Sequence, residues 1–328
     1  MSRQITRRGF VRASAGSAIL SAATLSLAAA DAPPDLVACQ GPDAEQNTRA
    51  VVEALGGMGR YVKRGQVVGL LPNFQGPRPG ASTDLGIIRA VASMCRDAGA
   101  SEMRCLTWLP QALWDRPDTK NVRQALDEGE IKLVIVPVPP PPAKRGDPAP
   151  PDPPEVAAAW RTLEVPKGLK LKQIRVFNAL WECDVFISMP IFKDHIGSRF
   201  TGVLKNYMGT SHPIDNQKFH PSFEGANLEH MEQCVADLNT VVRKPDLCIV
   251  AAMECLKTNG PFGPGDVVKP QQVVAGHDRV ALDVYGAGLL GLDGPKVSMI
   301  RRAYDHGLGE IDLTKLEVVK LFAMKATC

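Results

Sequence analysis

Short apolar runs alternate with amphipathic stretches along most of this chain. The runs at 66–71, 184–189 and 247–252 are rich in Val, Leu and Ile, which is typical of buried strands. After the first run, Ser82 or Thr83 can cap a helix over 84–98, which Gly99 would end. Strands that alternate with helices predict an α/β fold, with a mostly parallel sheet flanked by helices.

The same reasoning predicts the remaining elements and the domain limits. Further strands are expected over 103–107, 132–136, 272–275 and 316–319, and further helices over 121–127, 176–183, 201–208, 228–242, 278–290 and 296–304. We therefore expect one α/β domain over 65–320, between an N-terminal segment at 31–64 and a C-terminal tail at 321–328. A proline-rich insertion at 137–154 interrupts it, and we interpret the insertion as a surface loop rather than as a proline-motif ligand.

The N-terminus has the pattern of a targeting signal. Residues 1–30 carry the twin arginines Arg7 and Arg8, then an Ala- and Ser-rich apolar stretch, and small residues before Asp31 where cleavage can occur. This predicts export by the twin-arginine machinery to the periplasm or the medium, with no stable membrane span after cleavage. Two alternatives stay open, an uncleaved membrane anchor and lipidation at Cys39.

Charge and cysteine content exclude several classes of function. The 38 Lys and Arg fall to 34 once residues 1–30 are removed, against 35 Asp and Glu, so the mature chain is nearly neutral. It has no run of basic residues interleaved with aromatics, and we expect no nucleic-acid partner. The eight cysteines include no C-x-x-C pair, so we expect no iron–sulfur cluster.

The strongest chemical signal follows the strand at 184–189. Lys193, Asp194 and His195 come within a few residues of its end, where open α/β sheets place ligand sites. Lys193 and His195 would face the same side of an extended segment, and both types of side chain can move a proton near neutral pH. We take these three residues as catalytic candidates; the alternative is a salt-bridged turn.

Other candidates surround this segment. Lys205 and Asn206 lie at a short helix start, which suits a carboxylate or phosphate group. His195, His212 and His220 are the candidate metal ligands, although their spacing matches no tight metal motif. The candidates for binding a cofactor or ligand are Asn73, Lys205, Asn206, Gly263, Asp278 and Asp283.

The order of several motifs resembles the domain-of-unknown-function 362 family. The motifs are Pro72-Asn73, Lys193-Asp194-His195, the Thr-Gly-x-Leu-Lys-Asn segment at 201–206, the Gly-Pro-rich loop at 260–265, the Asp-containing segment at 276–283 and Gly-Leu-Gly at 307–309. Two positions where the family often has Lys are Leu71 and Ile191 here, which weakens a site built on many cations. The family looks distantly like the lactate racemases, whose nickel-pincer cofactor is held through Lys and His.

The resemblance implies a ligand site at these motifs but no particular reaction. We expect an exported enzyme that depends on a metal or another cofactor and acts on a small anionic substrate through Lys193 and His195. The alternative is a non-catalytic periplasmic protein that binds a ligand or carries a cofactor. Both hypotheses make a small-molecule ligand the partner.

The twin-arginine interpretation can be tested directly. Changing Arg7 and Arg8 together to Lys should leave the protein uncleaved in the cytoplasm, because the export machinery recognises the arginine pair. Fractionation of cells that express either form, followed by intact mass measurement, gives the answer. Normal export of the double variant would contradict the interpretation.

Overall fold

The computed structural model describes residues 32–140, 150–220 and 228–323. The predicted signal peptide at 1–30, the middle of the proline-rich insertion and the last part of the predicted tail lie outside the described residues. None of the described helices is both long and apolar enough to cross a membrane.

The strands of the described part are β1 (Leu36–Gln40), β2 (Val67–Pro72), β3 (Glu102–Thr107), β4 (Ile131–Ile135), β5 (Trp160–Glu164), β6 (Gln173–Phe177), β7 (Val185–Met189), β8 (Leu247–Ala252), β9 (Cys255–Leu256), β10 (Val267–Val268), β11 (Gln272–Gly276) and β12 (Val318–Phe322). The α-helices are α1 (Ala44–Ala54), α2 (Leu85–Asp97), α3 (Gln111–Trp114), α4 (Lys120–Glu128), α5 (Pro154–Ala159), α6 (Val203–Asn206), α7 (Pro213–Asn216), α8 (Leu228–Asn239), α9 (Arg279–Leu289) and α10 (Ser298–Asp305).

Eight of these strands form one large sheet in the order β12-β1-β11-β8-β7-β2-β3-β4. All neighbouring pairs are parallel except the two that involve β11, which is antiparallel to both β1 and β8. Helices cover the sheet, so the predicted mostly parallel α/β fold is confirmed.

The two faces of the sheet bury separate apolar layers. In β7, Val185, Ile187 and Met189 belong to one layer, whereas Phe186 belongs to the other. All five residues of β7 and all six of β8 are buried, as expected for strands covered on both faces. The continuous apolar runs in the sequence follow from this double burial.

The chain reverses its direction of growth at β2. From β2 it adds β3 and β4 on one side, and later places β7 and β8 on the other. Side by side, β2 and β7 end together, with Pro72 opposite Met189. Ligands of open α/β sheets bind outside the carboxyl ends of the strands at such a reversal point, so the topology directs attention to the residues that follow Pro72 and Met189.

Both ends of the described chain join the large sheet. Leu36 of β1 pairs with Gly276 of β11 and with Val318 of β12. Helix α1 begins at the cap residue Asp43 and packs against α2. The segment predicted as a separate N-terminal part therefore contributes a strand between β12 and β11, and β12 extends across residue 320 into the predicted tail.

The predicted helix over 176–183 is wrong. Its first residues complete β6, which pairs antiparallel with β5, and a short 3-10 turn at Asn178–Leu180 follows. Buried Ile174 and Val176 alternate with more exposed Gln173 and Arg175, which is the period of a strand. The apolar residues that follow Phe177 obscured that alternation.

The two ends of the proline-rich insertion are held on this small β5–β6 sheet. The indole nitrogen of Trp160 donates to the carbonyl of Pro137 at 2.8 Å, and Arg175 donates to Asp152 at 2.5 Å. Pro140 and Pro150, which flank the undescribed part, are both exposed.

Candidate functional site

The candidate site begins where β2 and β7 end. After Met189 the chain continues in an extended form beside β8: Phe192 N donates to the Ala251 carbonyl at 3.1 Å, and Ala251 N donates to the Pro190 carbonyl at 2.9 Å. This pairing holds the segment that carries Lys193, Asp194 and His195 at the carboxyl ends of the central strands. Main-chain hydrogen bonds therefore fix its backbone.

Lys193 is fixed at both its backbone and its side chain. Its backbone exchanges two hydrogen bonds with Thr201, at 3.2 and 2.8 Å. Its ammonium donates to Asn73 Oδ1 at 2.9 Å and to the Ala81 carbonyl. Only 1% of the residue is exposed. Lys193 therefore joins the β7 segment to the 73–83 loop that follows β2.

Asn73 and Asn206 continue this network. Asn73 Nδ2 donates to Asn206 Oδ1 at 3.2 Å, and Asn206 Nδ2 donates to the Leu71 carbonyl at 3.0 Å and to Ser188 Oγ at 3.3 Å. The amides thus connect the ends of β2 and β7 to α6. The structure brings Asn73, Lys193 and Asn206 together, as their shared position at this sheet edge requires.

Lys205 lies beside Asn206 in α6 and is 9% exposed. Among the described residues, its ammonium contacts Met208 Sδ at 3.4 Å, which is a weak acceptor. The start of α6 is already occupied by Asp283, whose carboxylate accepts from Val203 N at 2.6 Å and Leu204 N at 3.1 Å. A ligand anion would therefore meet the side chain of Lys205 rather than the helix N-terminus.

Gly202 permits this close packing of Asp283. A β-carbon at Gly202 would lie 2.1 Å from Asp283 Oδ1, so a side chain there would displace the carboxylate. Burial raises the pKa of Asp283 to about 7, against the lowering effect of the two backbone hydrogen bonds. Asp283 is fully buried and positions α6.

His195 is a neutral hydrogen-bond donor in this arrangement. Its Nδ1 accepts from the Gly197 N–H at 2.9 Å, so the lone pair lies on Nδ1 and the proton on Nε2. Burial, together with repulsion from Lys205, His220 and Lys193, lowers the pKa of His195 to about 2. The imidazole therefore stays uncharged at neutral pH, with an N–H group available at Nε2.

Burial also lowers the pKa values of both lysines in the site. It lowers the pKa of Lys193 to about 7, with a further contribution from Lys205, and lowers the pKa of Lys205 to about 8. Neither ammonium forms an ion pair with a carboxylate in the part of the chain that the structure describes. We call Lys193, His195 and Lys205 the Lys/His cluster; its groups all donate hydrogen bonds and share no counter-charge.

The side chain of Asp194 binds the 260–265 loop. Its carboxylate accepts from Gly260 N at 3.0 Å, and its own N–H donates to the Leu256 carbonyl at 2.8 Å. A β-carbon at Gly260 would overlap the Asp194 carbonyl. Asp194 thus attaches the 260–265 loop to the site, and Gly263 in that loop accepts a hydrogen bond from Arg78.

Two further candidates lie outside the cluster. Asp278 caps α9, accepting from Val280 and Ala281 N–H groups at 2.9 Å each and from Glu310 N at 2.7 Å. His212 is fully buried beside Trp160, and its Nε2 lies 3.5 Å from Asp152. The structure does not bring either residue to the Lys/His cluster.

His220 lies near enough to the cluster for its positive form to repel Lys205 and His195. Across residues 32–140, 150–220 and 228–323, however, no group of three or more His, Cys, Asp or Glu side chains is arranged to hold a metal ion. For His195 to bind a metal through Nε2, the ring would have to move its proton and lose the Gly197 hydrogen bond.

The structure also has a cleft of about 660 Å³. Its lining includes Phe74 and Arg78 from the 73–83 loop, Phe262 from the 260–265 loop, and Leu113 and Arg116 from the segment after β3. The sequence does not predict this cleft, because its walls come from three loops that lie far apart along the chain.

Thr83 has a role that the sequence pattern does not predict. The pattern offers Ser82 or Thr83 as the cap of α2, but Asp84 is the cap and accepts from Gly86 N at 2.8 Å. Thr83 instead accepts from Asn73 N at 2.9 Å and donates to the Met189 carbonyl at 2.5 Å. It therefore closes the gap between the ends of β2 and β7 behind Lys193.

The fold and the cluster define an α/β protein with a donor-rich site at a topological reversal point. Residues 151–288 match the model of the family described as domain of unknown function (DUF362). The matched region contains the Lys/His cluster but not Asn73. The family resemblance predicted from the motifs is thus confirmed.

Comparison with curated proteins gave no match. Among solved structures, the lactate racemase apoprotein from Thermoanaerobacterium thermosaccharolyticum is 10% identical, with a TM-score of 0.45 over 77% of this chain and 56% of that one. A protein from Thermotoga maritima is 13% identical, with a TM-score of 0.34 over 64% of this chain and 51% of that one. The chain spans about half the length of each.

The lowered pKa values of Lys193 and Lys205 predict that the stability of the folded protein depends on pH. A buried lysine destabilises the folded state fully below its folded pKa, and this penalty disappears as the pH rises towards the unfolded pKa near 10.4. Lys193→Met or Lys205→Met should therefore be more favourable to stability at pH 6 than at pH 9, with the difference on the order of 2 kcal/mol.

Denaturant unfolding of each variant and the parent protein at both pH values measures this difference. Lys296→Met is the matched control, because Lys296 is exposed, and it should show no comparable change between the two pH values. An equal effect of Lys193→Met at pH 6 and pH 9 would show that the ammonium is not desolvated.

Proposed function

We propose that this protein binds a small anionic molecule at the Lys/His cluster. The observation that carries the proposal is the burial of two ammonium groups and an imidazole N–H donor together, without a carboxylate partner among the described residues. Buried charges are normally paired, because removing them from water is costly. An anionic ligand would supply the missing partner.

The geometry gives each group a role. Lys205 would neutralise the charge of a carboxylate or phosphate, and the Nε2–H of His195 would donate a hydrogen bond to it. Lys193 would contribute positive charge without bonding to the ligand directly, because its ammonium already donates to Asn73 and Ala81. A bound anion would favour the charged form of both lysines and raise their pKa values.

The same site supports acid–base chemistry. A lysine with a pKa of about 7 exists in both protonation states at neutral pH, as a proton donor or acceptor requires. We therefore favour an enzyme that moves a proton on a small anionic substrate. A non-catalytic binding protein is the alternative, and turnover of a bound acid would distinguish the two.

The donors present do not fit a metal ion as the bound group. Two ammonium groups repel a cation, and the imidazole presents an N–H rather than a lone pair. Metal dependence, expected from the sequence, therefore finds no support in this cluster. Export through the twin-arginine route remains part of the proposal, supported by the Arg7-Arg8 pattern alone.

Binding of oxalate and inorganic phosphate, measured by calorimetry at pH 7, tests the proposal. Lys205→Met and His195→Ala should each weaken binding by about tenfold or more, because each removes a donor to a desolvated anion. Lys296→Met makes the same change of net charge as Lys205→Met, but at an exposed position, and should leave the affinity within about twofold.

Circular dichroism and melting temperature would verify that the variants are folded. Unchanged affinity in both cluster variants, with the fold intact, would contradict the proposal. Absence of binding of either anion to the parent protein would do so as well.

A further inference from the structure

The cleft lined by Phe74, Arg78 and Phe262 has the size of a small-molecule site. Its volume of about 660 Å³ falls within the range of roughly 300 to 1,000 Å³ found for ligand pockets. It lies at the carboxyl-end side of the sheet, where the loops after β2 and β3 meet the 260–265 loop. It is therefore placed where this class of fold binds its ligands.

Two phenylalanines give the cleft an aromatic lining. The ring of Phe74 stacks on Trp114, with centroids 5.3 Å apart and an angle of 25° between the planes, and Trp114 is buried beneath it. Phe262, on the 260–265 loop, is 59% exposed. A supported ring and an exposed ring that line one cleft present apolar surface suited to a flat ring of a ligand.

The charged groups of the cleft are already engaged. Arg116 pairs with Asp118 through two hydrogen bonds, at 2.9 and 2.5 Å. Arg78 donates to the carbonyls of Phe262 and Gly263. These contacts hold the loops and leave the cleft without an uncompensated pair of cations such as Lys193 and Lys205. The cleft thus differs chemically from the cluster and favours an uncharged, apolar group.

Two of the three loops that line the cleft also contact the segment that carries the cluster. Asn73, which bonds to Lys193, directly precedes Phe74. On the other side, Asp194 accepts from Gly260, and Ile196 N donates to the Gly260 carbonyl at 3.1 Å. The two regions are therefore parts of one structural unit at the ends of β2 and β7.

We propose that the cleft binds an aromatic ring of the anionic ligand whose charged group occupies the Lys/His cluster. The inference rests on the proposed function and extends it by naming the ligand class, an aromatic carboxylic or phosphoric acid. Phe262 and Phe74 hold the ring, and Lys205 and His195 hold the anionic group.

The experiment compares 2-naphthoate with acetate, two monocarboxylates that differ in the ring. The parent protein should bind 2-naphthoate at least about tenfold more tightly, because the ring buries apolar surface. Phe262→Ala should remove most of this gain and leave acetate binding unchanged. Phe322→Ala, at an exposed position outside the cleft, is the matched control and should change neither affinity.

The results separate this inference from the proposed function. If acetate binds and Lys205→Met weakens it, but 2-naphthoate binds no more tightly than acetate, the aromatic subsite is overturned and anion binding stands. If Phe262→Ala weakens 2-naphthoate but Lys205→Met does not, the ring and the anion do not share one ligand, and the inference is again overturned. Loss of 2-naphthoate affinity in both variants, against unchanged binding in Phe322→Ala, supports it.

Discussion

The free-energy cost of burying two lysine ammonium groups at the carboxyl ends of the central strands governs the arrangement around them. Hydrogen bonds to Asn73 and Ala81 offset part of this cost for Lys193, whereas in the described part of the chain Lys205 contacts a methionine sulfur. The residual cost appears as depressed pKa values in both residues. A protein that needed only stability would favour an apolar side chain at Lys205, so this burial supports the proposal of an anion site.

The rest of the fold serves to hold that edge in place. Parallel pairing of β2 and β7 sets Pro72 opposite Met189, and Thr83 links the loops that follow them. Asp283, packed against Gly202, positions α6 and therefore Lys205. The polar network is thus built on main-chain pairing, which explains how groups distant in sequence converge on one small site.

Much of this could be predicted from the sequence, for physical reasons that differ by element. Buried parallel strands such as β7 and β8 leave continuous apolar runs, and the charged residues after Met189 locate the sheet edge. The end of β6 lies where the sequence predicts a helix over 176–183, because the apolar residues after Phe177 hide the period-two alternation. The cleft beside Phe74 depends on contacts between loops, which no local pattern encodes. The tautomer of His195 depends on the turn that brings Gly197 N to its Nδ1.

Proton uptake on anion binding tests the central claim most directly. Calorimetric titration with oxalate at pH 8.5, in buffers of different ionisation enthalpy, gives the number of protons taken up. If the buried lysines receive the anion, binding should take up about one proton at this pH and close to none at pH 6, where both lysines are already charged. Binding at pH 8.5 without proton uptake would show that the anion does not meet these lysines.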